Sequence, residues 1–214
     1  MKITTHQAFQ TPSTTHYTQV RHPLYNPHGV ENTEDCGPTC LAMLLSLLGL
    51  GGRLTELVPL PCLGIQGLID RARYAMFGSS HPHKSSYLQD AQGNWRLQQW
   101  ARHTLSNLSD LQRAAVLFGV STTAVTCLSQ LRARDTLAIL AGDPSLPGAH
   151  GKRLGIDYEG GHFILVKGYN NAGEFEVCDP LCLRGPTLVT PAELVRFTSA
   201  GIFGSTLGLS FSRA

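Results

Sequence analysis

The longest unbroken apolar stretch, CLAMLLSLLGL (40–50), follows the loop ENTED (31–35) and is apolar on every side except at Ser46. Pro38 fits a first helical turn and Gly49, Gly51 and Gly52 supply a stop, so the pattern predicts a helix buried all round. It is far short of the roughly 20 residues that span a bilayer. Further along, SDLQ (109–112) predicts a capping box at the start of a helix that Gly119 closes. Residues 123–133, with Val125, Leu128 and Leu131 on one face, predict another short helix. TLAIL (136–140) has the length and composition of a buried strand, and 141–161 is rich in Gly and Pro, as a long and functional loop would be. The segment GGHFILVKGYNNAGEFEVCDP (160–180) predicts two strands around a turn at NNAG. TPAE (190–193) is a second capping box with Pro in its first turn, and TLGLSF (206–211) alternates like a terminal strand. An early buried helix, a helical middle over 63–135 and late antiparallel strands predict one α+β domain over 1–214, with residues 1–30 as an extended N-terminal arm.

The 214 residues suffice for a genuine core, and the 42% hydrophobic content is globular, although charged residues make up only 15%. A net charge of +2 with no run of Lys or Arg gives no nucleic-acid-binding face, at most a weak preference for an anionic polymer. MKITTHQAFQTPSTTHYTQ has no apolar core of a secretory signal. The expected location is the cytoplasm of the producing cell, with release by lysis or a specialised route as the alternative. The six cysteines, at 36, 40, 62, 127, 178 and 182, are irregularly spaced, which fits reduced thiols better than a disulfide framework.

Cys40, Cys62 and Cys127 read as inert buried thiols, the ordinary fate of free cysteine. Cys36 differs because it stands where a loop enters a helix, so its sulfur faces the amino-terminal amides. A free thiol is only a few per cent ionised at neutral pH, and a helix end contributes about 0.3 to 2 kcal/mol. Four to five pKa units correspond to roughly 6 kcal/mol, so a nucleophile here needs an imidazole beside it. His162 qualifies on register. If NNAG makes a two- or four-residue turn, Tyr169 pairs with Glu174, and Asp179 falls opposite Ile164, one diagonal step from His162 on the same face. The carboxylate can then orient the ring while its other nitrogen faces the sulfur. A bulge or a three-residue turn would spoil this arrangement. The rival is structural zinc: Cys36/Cys40 and Cys178/Cys182 have workable spacing, but neither pair lies in a zinc-knuckle turn. HPH (81–83) reads as a solvated loop, and Trp95 and Trp100 as core. No G-x-S-x-G elbow and no phosphate-binding loop occurs.

With these residues in place, the chain resembles the papain-like cysteine peptidases, most closely the bacteriocin-leader-peptidase branch, peptidase family thirty-nine. DCGPTCLAMLL resembles that branch's nucleophile motif, GGHFILVKGYNNAGEFEVCDP its histidine strand and Asp-Pro signature, and TPAEL the helix that follows. The resemblance implies a papain-like fold, with the nucleophile's central helix packed on the C-terminal antiparallel sheet. It makes Cys36 the nucleophile, His162 the general base and acid, and Asp179 the orienting carboxylate. The family's oxyanion-hole glutamine is absent from the six positions before Cys36. Gln19 fits a variant pattern with a longer returning loop, and Asn32 is the nearer substitute. The expected activity is peptide-bond hydrolysis through a thioester, without cofactor or metal. The expected partner is a peptide, protein or peptidoglycan substrate. Bacterial cell-wall cross-links lead; intracellular processing, acyl transfer and a non-catalytic zinc-stabilised module are the alternatives. The 141–161 loop is a candidate lid.

Overall fold

The computed structural model of the protein describes residues 15–29, 31, 33–57, 64–77, 105–132 and 136–213, together with the backbone of 87–89 and 95–97. The predicted central helix is α1 (Cys36–Leu47), with every residue from Cys36 to Leu45 buried. A helix with no polar face is stable in water only when covered on all sides. Here α3 (Gly64–Phe77) and the sheet cover it, with α2 (Gly51–Leu57) at its far end.

Six strands form one antiparallel sheet in the order β3-β8-β4-β5-β6-β7, where β3 is Val120–Val125, β4 Leu137–Gly142, β5 His162–Tyr169, β6 Phe175–Cys178, β7 Thr187–Val189 and β8 Gly208–Arg213. A separate small hairpin pairs β1 (Tyr87–Gln89) with β2 (Trp95–Leu97). Alternation along β5 divides the core. Phe163 and Leu165 join the cluster around α1, α3 and α4 (Leu108–Leu117), whereas Ile164 and Val166 join Val177, Val189, Leu194 and Phe197 on the opposite face. That second face is closed by α6 (Pro191–Thr198), whose backbone lies so close to Gly142 that a Cβ there would sit 2.2 Å from the Phe197 carbonyl oxygen. The structure therefore has the α+β layout expected, a central helix on an antiparallel sheet. No single helix among the described residues is long and apolar enough to cross a membrane.

Several expectations need correction. Residues 123–125 belong to strand β3 rather than to a helix, because their edge position beside β8 offers backbone partners that outweigh a weak apolar periodicity; only Leu128–Leu131 coil, as a 3₁₀ turn. The middle third is accordingly mixed, with strands between its helices. The capping box of α4 is Asn107 with Asp110, two residues ahead of the predicted Ser109 with Gln112; Asn107 accepts from the Asp110 amide at 2.9 Å. The Thr190/Glu193 box at α6 is as predicted, with Pro191 in the first turn. Cys127 is exposed, at the mouth of the 3₁₀ turn, not buried. The 141–161 segment contains its own helical turn, α5 (His150–Leu154), with His150 and Gly151 wholly buried or nearly so. Cys62, His81, His83 and Trp100 lie outside the described residues.

Candidate active site

The site assembles at the amino end of α1. Asp35 is the N-cap residue, yet its carboxylate makes no capping bond. It turns instead to the Thr33 hydroxyl, which donates to Oδ2 at 2.6 Å, and to the Arg73 guanidinium of α3, an ion pair with both side chains wholly buried. The residue just before Cys36 is thus clamped by a permanently charged partner. Cys36 is 6% exposed and belongs to the core cluster that surrounds α1.

From the sheet, His162 begins β5 and Asp179 follows β6 directly. Their approach depends on two irregularities that cancel. The turn contains five residues: Tyr169 pairs with Phe175, not Glu174, and the Asn170 amide bonds the Glu174 carbonyl at 2.8 Å. A bulge between Val166 and Gly168 then removes the one-residue offset, so Val166 faces Val177 and Leu165 faces Cys178. Continuing that register places Asp179 opposite Ile164, as the sequence predicts. His162 Nε2 lies 2.8 Å from Asp179 Oδ1, and Cys36 is near enough to the ring to favour its protonated form. With Nε2 engaged by the carboxylate, Nδ1 is the nitrogen left for sulfur.

Burial alone would drive the proton off His162, but the charge and hydrogen bond of Asp179, with the Cys36 contact, outweigh it and push the imidazole up to about 10. For Asp179 the same contest runs the other way: burial favours the neutral acid, while the neighbouring imidazoles hold the carboxyl well below the usual range. Asp179 also accepts the Leu181 amide on Oδ1 at 2.8 Å, and its Oδ2 faces a second ring, His150 Nε2, at 2.8 Å. Sequence reading overlooks His150, which lies in a Gly/Pro-rich segment with no periodicity around it; only the fold brings it behind the hairpin.

Gln19 lies 3% exposed between the two halves: its amide N–H bonds the Pro180 carbonyl at 3.0 Å and its side-chain Nε2 donates to the Thr33 carbonyl at 2.7 Å, three residues before Cys36. Nε2 retains a second proton. Asn32 lies outside the described residues. Tyr158 closes one side, its ring 5.7 Å from that of His162 and its hydroxyl 3.3 Å from both Glu34 Oε2 and the Gly161 carbonyl. Burial and the negative Glu34 push that phenol up to about 12. Beside Tyr158 opens a pocket of about 320 Å³ with Leu154, Ile156, Leu181 and Leu183 in its walls.

The zinc alternative finds no support in the geometry: among the described residues no group of three or more His, Cys, Asp or Glu side chains could hold a metal ion, and the described cysteines are all free. Burial, together with the neighbouring Cys36, Asp179 and Cys178, drives the Cys40 thiol well above its ordinary value, as befits an inert side chain.

No family model matches the chain, and neither does any curated protein. Among solved structures it is similar to the peptidase domain of Streptococcus ComA, a bi-functional ABC transporter involved in a quorum-sensing pathway. That likeness has 18% identity and a TM-score of 0.42, and covers 92% of this chain and 97% of that one.

Proposed function

We propose that this protein is a cysteine peptidase or amidase that cleaves a peptide bond through a thioester. One observation supports the reading above the others: a buried imidazole 2.8 Å from a carboxylate, with a cysteine at a helix mouth near enough to favour the ring's protonated form. The Cys36 thiolate attacks the carbonyl carbon and a C–S bond forms. The carbonyl oxygen takes the negative charge, facing the Cys36 N–H, an amide at the start of α1 without an intrahelical partner, and the Gln19 amide. His162 gives its proton to the leaving nitrogen as the C–N bond breaks. It then takes a proton from water, which attacks the thioester and releases the acid. An amine in place of water would make the same acyl-enzyme a transferase.

A peptide suits the opening, because the pocket beside Tyr158 has aliphatic walls within reach of the reacting groups. Cross-link peptides of the bacterial cell wall are the first substrate class to test, and intracellular peptide or protein precursors the second. Wild type and Cys36→Ala are incubated with purified cell wall and a peptide panel, and products are identified by mass spectrometry. New termini with wild type alone support the reading. Equal cleavage by folded Cys36→Ala removes it.

A further inference from the structure

His150 has a burial and bonding pattern that packing alone does not require. It is wholly buried at the first position of α5, its ring 5.2 Å from that of Phe197 on α6. The turn that carries it is seated tightly, since a Cβ on Gly151 would lie 2.2 Å from the Pro144 carbonyl oxygen. A polar ring placed there costs burial of two nitrogens. Nε2 is matched by Asp179 Oδ2 at 2.8 Å, while Nδ1 meets no hydrogen-bond partner among the described residues. A bare Nδ1 fits a neutral ring whose single proton sits on Nε2 and is donated to the carboxylate.

The carboxylate's own contacts make that donation consequential. Oδ1 takes both the His162 ring and the Leu181 amide, whereas Oδ2 has His150 as its hydrogen-bond partner among the described residues. Other titratable groups near this cluster include Cys36 and Cys40 of α1, Cys178 of β6, Cys182 after it, Tyr158 before β5 and His16 of the arm. None of these is hydrogen-bonded to Oδ2. His16 spends its Nε2 on the Cys182 carbonyl at 2.9 Å.

We infer that His150 is a positioning residue for the proposed reaction: by donating to Oδ2 it fixes the plane of the Asp179 carboxylate and shares its charge. His162 is thereby held firmly enough to be protonated yet loosely enough to give that proton up. With Oδ2 unpartnered in a dry interior, the negative charge would concentrate on Oδ1 and tighten its grip on the imidazolium. The kinetic part of this inference rests on the cysteine-peptidase reading; the proton inventory does not.

Ring nitrogens of the full-length protein are followed by ¹⁵N NMR across pH in wild type, His150→Gln and His150→Leu, and turnover is measured alongside. In wild type the His150 ring carries its proton on Nε2 and not on Nδ1. In His150→Leu, His162 holds its proton to a higher pH by about half a unit or more, and kcat falls about tenfold with KM moved less than about twofold. His150→Gln, which keeps a donor, restores both to within about threefold of wild type. Should His150→Leu fail to fold, the wild-type tautomer and the Gln variant still decide. A His150 proton on Nδ1 alone, or an unmoved His162 titration in folded His150→Leu, overturns the inference. Loss of turnover in every protein with the ¹⁵N shifts as expected would instead count against the peptidase reading.

Discussion

Two aspartates stand wholly buried on either side of Cys36, and their partners differ in kind. Asp35 is paired with an arginine, which keeps its charge at every working pH. Asp179 is paired with two histidines, whose protons are exchangeable. The first arrangement fixes a position: it anchors the loop entering α1 onto α3, whatever the acidity. The second favours a proton on His162, beside Cys36. The same residue type, equally buried, therefore has a fixed ionic partner in one place and exchangeable ones in the other, and on the proposed reading only the second takes part in chemistry.

The contrast is sharpest in paired substitutions. Asp179→Asn preserves shape but offers His162 the wrong partner, and we expect kcat to drop by about 10⁴-fold with secondary structure unchanged by circular dichroism. The same variant exposes the pH signature. His162 is raised in the folded state, so its contribution to stability is complete below about pH 6.5 and is lost as pH climbs through about 10. Asp179 is lowered, so its contribution is present above about pH 4 and is lost on acidification. Denaturation midpoints for wild type and Asp179→Asn should therefore differ most between about pH 4 and 6.5, and wild-type kcat/KM should fall above about pH 10.

Arg73→Met tests the other aspartate. Stranding Asp35 in the interior should remove about 3 to 5 kcal/mol in chemical denaturation, while the pH dependence of the protein that stays folded keeps its shape. A profile displaced as far as that of Asp179→Asn would erase the distinction between the two acids. Gln19→Ala comes next: loss of an oxyanion donor should lower kcat about 10²-fold, and loss of the buried bond to the Thr33 carbonyl should cost about 1 to 3 kcal/mol, with little change in the His162 titration. The smallest effect is expected far from both acids, at Thr190→Ala, where loss of the cap of α6 should cost about 1 kcal/mol and leave the chemistry untouched.

How much of this was legible in the chain follows the same division. Features held by neighbours in sequence could be read directly: the all-apolar run of α1, the Thr190/Glu193 cap with Pro191, and the strand–turn–strand around Asn170. The His162–Asp179 meeting was legible in outcome but not in route, since the five-residue turn and the bulge each depart from the pairing assumed and cancel. Contacts that only the assembled fold creates left no trace in local pattern. Arg73 meets Asp35 across 38 positions, and His150 meets Asp179 across 29. Residues 123–125 misled because a short apolar spacing suits a helix and an edge strand alike, and the choice was made by β8, more than eighty positions away.

The bulge in β5 also acts as a slip joint. Because register is reset between Val166 and Gly168, the pairing at the tip of the hairpin is offset by one residue from the pairing at the end that carries His162 and Asp179. Residues 170–174 are thus a place to graft a fluorophore or an affinity tag on the far side of that register reset from His162 and Asp179.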